Sequence, residues 1–130
     1  MARIRIIDDD VEMTNTLAAM LRAKGHDVST AYALKGAVED LAKSKPDLLI
    51  LDVMFPEDAS GGLELARRIH KNPGTRDMPV IMLTNVNQEF PLGLSPQDID
   101  DEWMPVCDFM EKPVNFPQLE RKIQTLLKPR

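Results

Sequence analysis

Short apolar runs alternate with amphipathic stretches along the whole chain. Ile4, Ile6 and Ile7 form a β-branched run that reads as a strand. Residues 11–24 follow, with Met13, Leu17, Met20 and Leu21 at i, i+4, i+7 and i+8, which is one face of a helix ended by Gly25. Val28 to Ala31 predicts a weak second strand. Leu34, Ala37, Val38 and Leu41 supply the inner face of a helix over about 34–44, and Pro46 blocks its continuation. Leu48–Leu51 is uniformly apolar and too short for a surface helix, so it reads as a strand covered on both faces. Past Pro56, the polar stretch 57–62 reads as a loop. A third helix covers about 63–71, with Leu65, Ala66 and Ile69 inward and Asn72, Pro73 and Gly74 closing it. Val80–Leu83 is another buried strand, closed by Thr84. A long polar stretch leads from Asn85 to about Leu94. Ser95, Pro96 and Asp98 then carry a helix start, with Ile99 and Trp103 one turn apart and Pro105 as the limit. Val106–Met110 predicts a fifth strand. Asn115 caps a last helix over about 116–127, with Leu119, Ile123, Leu126 and Leu127 inward.

Strand and helix therefore alternate five times, which predicts an α/β fold with a parallel sheet and helices on both of its faces. At 130 residues and 43% hydrophobic, residues 1–130 make one domain with a real core. The carboxyl ends of parallel strands share one edge, and open α/β sheets place their chemistry there. On that edge the sequence puts Asp8 and Asp9, Asp52, Thr84 and Lys112. Each alone has a bland reading. The triplet Asp8, Asp9 and Asp10, for example, suits a solvated helix start with Asp10 as N-cap. Four chemically useful groups on one edge form a stronger signal than any one of them.

The residue types suit phosphoryl transfer. Carboxylates are hard, acceptor-only oxygen ligands, and Mg2+ commonly takes one or two of them together with a phosphate. Such a cation relieves the repulsion among Asp8, Asp9 and Asp52 and neutralises an incoming phosphoryl group. A carboxylate can itself be the nucleophile, giving an acyl phosphate. Thr84 offers a hydroxyl to a phosphoryl oxygen, and Lys112 a compact positive charge.

Composition narrows the field. The formal net charge of −5 argues against nonspecific nucleic-acid binding by this chain, which needs a basic stripe. One cysteine, Cys107, excludes an intrachain disulfide and suits a reducing cytoplasm. The amino-terminal apolar run is too short for a signal peptide, and no stretch approaches a membrane span. His26 and His70 lack metal-ligand spacing, and no Gly-rich phosphate loop supports ATP binding.

The motifs IIDDD at 6–10, LLILDVMFP at 48–56, VIMLTN at 80–85 and FMEKPV at 109–114 stand in the order and near the spacing of one family. With them the chain resembles a two-component response-regulator receiver domain, the CheY-like fold, over essentially its whole length. The resemblance implies a flavodoxin-like, doubly wound sheet of five parallel strands in the order 2-1-3-4-5. It implies that Asp52 accepts a phosphoryl group from a histidine kinase or phosphotransfer protein. Mg2+ is then bound by Asp8, Asp9 and Asp52 and by the backbone carbonyl of Met54. It also implies a switch rather than a turnover enzyme, coupling Thr84 to Phe109 and altering the surface around the fourth and fifth predicted helices. Phe109 could instead be an ordinary core residue of a strand.

The chain departs from the family pattern in places. EDASGG at 57–62 is an insertion beside the site. Asn85 replaces the usual small residue after Thr84. Met54 and Val86 are apolar where polar residues would position an attacking water, so the phosphorylated form is expected to be long-lived. Self-phosphorylation from small donors and slow self-dephosphorylation are the only catalysis expected. The segment from Thr84 to Lys112 is longer than usual and punctuated by Pro91, Pro96 and Pro105, predicting an atypical long loop and a short fourth helix near 96–104. Its acidic run Asp98, Asp100, Asp101 and Glu102 reads as a solvated face or as a surface for a basic partner. That region keeps open a second reading, a pseudo-receiver that binds proteins without phosphorylation. A haloacid-dehalogenase-type phosphohydrolase would want an aspartate where Met54 stands. The expected location is cytoplasmic, with protein partners, no direct nucleic acid and no membrane.

Overall fold

Five strands and four helices make up the described residues of this computed structural model, which are 2–52, 61–85, 108–112 and 114–127. In chain order they are β1 (Arg3–Ile7), α1 (Val11–Ala23), β2 (Asp27–Ala31), α2 (Ala37–Ser44), β3 (Leu48–Asp52), α3 (Gly61–Lys71), β4 (Val80–Asn85), β5 (Asp108–Lys112) and α4 (Phe116–Leu127). The strands form one sheet in the order β2-β1-β3-β4-β5, with every neighbouring pair parallel.

The pleat explains the two cores, because successive side chains of a strand leave on opposite faces. Ile4, Ile6, Leu48, Ile50, Ile81, Leu83 and Met110 meet Leu17, Ala18 and Leu21 of α1 and Leu119 and Ile123 of α4. Ile7, Leu49, Leu51, Val80 and Met82 meet Val38 and Leu41 of α2 and Leu65, Ala66 and Ile69 of α3. The sheet is therefore wound on both faces. β3 lies at its centre, and all five of its residues are buried. Strands covered on both sides need apolar residues at every position, which is why Leu48–Leu51 shows no alternation.

Several boundaries differ from the expectation. α2 begins at Ala37, not near Leu34: Gly36 takes a left-handed conformation (φ 72°), and the Ala37 N–H donates to the Leu34 carbonyl at 3.1 Å. Gly61 and Gly62, read as loop, are buried in the first turn of α3. Glycine has low helix propensity, but first-turn amides have no intrahelical partner to lose, so it is tolerated there. β4 continues through Thr84 and Asn85, because pairing with Glu111 and Lys112 of β5 carries the ladder on. Among the described residues β5 runs from Asp108 to Lys112, two residues past the expected end at Met110. The expected long loop, the short helix near 96–104 with its acidic run, Val86 and Cys107 lie outside the described residues.

The sheet also carries a polar staple. The Arg3 guanidinium donates to the carbonyls of Ser44 and Lys45 at the end of α2. Arg5 pairs with Asp40 and donates to Ser29 Oγ at 2.6 Å and Ser44 Oγ at 3.3 Å. Cations at a helix carboxyl terminus offset its negative partial charge. This support matters because α2 has only eight residues and no side-chain N-cap. Its carboxyl cap, Lys45, adopts φ 46°, the left-handed region that glycine occupies without strain. Relief of about 1–2 kcal/mol there exceeds glycine's extra unfolded-state entropy of about 0.4–1 kcal/mol. Lys45→Gly is therefore expected to stabilise the domain by roughly 0.5 kcal/mol, read as a higher urea midpoint with an unchanged slope.

Candidate functional site

The carboxyl edge of the sheet gathers the acids. Asp8 follows β1, and its N–H donates to the Ala31 carbonyl at 3.1 Å, which ties it to the end of β2. β1 and β3 run in register with Ile7 opposite Leu51. The next residue on each, Asp8 and Asp52, therefore falls at the same level. Asp8 is fully buried, Asp52 is buried and Asp9 is exposed. Each of the three contributes a carboxylate oxygen to a group whose members all lie within 4.8 Å of one another. Asp8 and Asp52 each make further interactions as well.

Asp10 stands outside this group. It is extended (φ −78°, ψ 95°) and caps α1 as its residue type predicts: its Oδ1 accepts from the Met13 N–H at 3.0 Å. Its own N–H donates to Asp8 Oδ1 at 2.9 Å. That bond left no trace in the sequence, because a backbone amide carries no side-chain signature.

Three carboxylates this close repel. At an effective dielectric near 20, a pair at such a distance costs on the order of 3 kcal/mol, and less where the exposed Asp9 is involved. A hard divalent cation offsets that repulsion, and an all-oxygen acidic donor set is what Mg2+ takes. The residues present fit it.

The other expected site residues are placed through their backbones. Leu83 of β4 pairs with Asp52, so Thr84 stands one residue beyond it on the neighbouring strand. Lys112, opposite Asn85, ends β5 at the same edge, and Phe109 lies opposite Met82. Met54 and Pro113 lie outside the described residues. Among the described residues no helix is long and apolar enough to cross a membrane. His26 serves the fold: its Nδ1 accepts from the Ala2 N–H at 3.3 Å.

The family model of the response regulator receiver domain matches residues 4–124. The chain belongs to the response regulator receiver domain family. Receiver domains are the phosphoacceptor signalling modules of two-component systems rather than turnover enzymes, and histidine kinases phosphorylate them. The chain is 30% identical over 128 residues to the transcriptional regulatory protein AfsQ1 of Streptomyces coelicolor, covering 98% of this chain and 52% of that protein. It is 30% identical over 126 residues to the phosphate regulon transcriptional regulatory protein PhoB of Rhizobium meliloti, covering 97% of this chain and 52% of PhoB. This receiver domain thus spans about half the length of these curated relatives. A crystal structure of a response regulator from Desulfuromonas acetoxidans superposes with a TM-score of 0.79 at 27% identity, covering 98% of each chain.

Proposed function

We propose that this receiver is a phosphorylation-dependent switch in which Asp52 accepts a phosphoryl group from a histidine kinase or phosphotransfer protein. The observation that carries the reading is the meeting of Asp8, Asp9 and Asp52 at the carboxyl edge of the sheet. An Asp52 oxygen attacks phosphorus, the bond from phosphorus to the donor's leaving atom breaks, and an acyl phosphate forms. Asp8, Asp9, Asp52 and the Met54 carbonyl would hold Mg2+, which would supply positive charge for the phosphoryl oxygens. Lys112 is the counter-ion of the product and Thr84 donates its hydroxyl to a phosphoryl oxygen. Thr84 then couples to Phe109, altering the surface that the downstream protein partner reads. Residues 1–130 act as one domain in the cytoplasm, and the apolar Met54 and Val86 with Asn85 keep the acyl phosphate long-lived.

Intact mass tests this reading. With Mg2+ and acetyl phosphate the protein should gain one phosphoryl group. Chelation of divalent cations should slow the gain at least about 100-fold, since an anionic donor then meets three uncompensated carboxylates. Equal uptake with and without the cation would remove Mg2+ from the account. A mass unchanged by acetyl phosphate, and also by a phosphohistidine-bearing transfer protein, would favour an interaction module that works without phosphate.

A further inference from the structure

We propose that Asp10 is a positioning residue for the cation site, coupling the orientation of Asp8 to the start of α1. The inference rests on the proposed reading of Asp8 as a cation ligand. Asp10 is exposed and lies outside the acidic trio. Its N–H nevertheless holds Asp8 Oδ1 at 2.9 Å. The direction of that N–H is fixed from the other side of the residue. Asp10 Oδ1 accepts from Met13 N–H, and the Asp10 carbonyl accepts from Thr14 N–H, both at 3.0 Å. The buried carboxylate, the Asp10 peptide and the first turn of α1 thus form one hydrogen-bonded chain. A cap side chain at residue 10 keeps the Asp10 amide aimed at Asp8. Without it, Met13 N–H turns to water and the Asp10 backbone gains freedom. The coupling is reciprocal: a cation that selects the fixed orientation of Asp8 also stabilises the first turn of α1.

Two effects of Asp10 must be separated, its charge and its cap. Asp10→Asn and Asp10→Ser remove the charge and keep a capping oxygen, whereas Asp10→Ala removes both. Mg2+ binding to the whole chain, measured by isothermal titration calorimetry well below the melting temperature, distinguishes them. Asp10→Asn and Asp10→Ser should bind Mg2+ within about twofold of each other, and Asp10→Ala roughly 3- to 5-fold more weakly than either. Hydrogen exchange at the Met13 and Thr14 amides should slow on Mg2+ addition in the capped variants and respond less in Asp10→Ala. Asp10→Gly, which costs a helix start less than alanine does, repeats the comparison if Asp10→Ala does not fold. Asp8→Asn is the control for the site. Loss of binding in Asp8→Asn with equal affinities for Asp10→Ala and Asp10→Asn would overturn the positioning role and leave the site standing. A wild-type chain that binds no Mg2+, or an Asp8→Asn variant that binds as the wild type does, would overturn both.

Discussion

Asp52→Asn should abolish phosphoryl uptake while leaving the fold intact. The asparagine amide has almost the shape of the carboxylate but lacks the anionic oxygen that forms an acyl phosphate. Backbone pairing of residue 52 with Leu83 in β4 does not depend on the side chain. The substitution also removes one of three mutually repelling charges. The variant should therefore melt no lower than the wild type without divalent cations, a usual relation between a functional site and stability. Intact mass should show no phosphorylated species in Asp52→Asn under conditions that convert the wild type. Near-wild-type uptake by the variant would mean that another carboxylate is the acceptor, and Asp9, the exposed member of the trio, would be the first to examine.

Ile50→Ala should produce the largest loss of stability. Ile50 is fully buried in the central strand, between Ile6 of β1 and Ile81 of β4. It belongs to the core shared with α1 and α4. Truncating such a side chain removes its transfer free energy and leaves a cavity that flanking strands, fixed by their ladders, cannot fill. The cost is about 3–4 kcal/mol, set against a total of about 5–15 kcal/mol for a domain of this kind. The urea midpoint should fall with an unchanged slope, and the melting temperature should drop by roughly 10 °C. Ile50→Val, which removes one methylene, should cost only about 1 kcal/mol. A loss for Ile50→Ala below about 1 kcal/mol would mean that the space around residue 50 collapses freely.

These two residues were legible in the sequence for physical reasons. An apolar run too short for a helix reads as a strand hidden on both faces, and that placed Leu48–Leu51. Parallel topology then carried Asp8, Asp9 and Asp52 to one edge before any distance was known. The caps Asp10 and Asn115 were readable because a short acceptor ahead of an apolar-periodic stretch has one common use. Asn115 Oδ1 does accept from Gln118 N–H at 3.0 Å.

What stayed hidden depends on tertiary partners. Arg3 and Arg5 alternate with isoleucines, and nothing in that pattern announces that their guanidiniums reach the Ser44 carbonyl and Asp40 of α2. Nothing in the residue types announces the partner of Asp108 in β5, to which Lys122 of α4 donates at 2.7 Å. The apolar spacing at Leu34 drew the expected start of α2 too early. Leu34 does pack partly buried against the core, but from a turn.

Chemical mapping identifies the phosphorylated residue. The phosphorylated wild-type chain is reduced with borohydride, which converts an aspartyl phosphate to homoserine, then digested and sequenced by tandem mass spectrometry. With Asp52 as the acceptor, homoserine should appear at position 52, with Asp8, Asp9 and Asp10 unchanged. Homoserine at Asp8 or Asp9, or a phosphorylated chain with no aspartate converted, would contradict it.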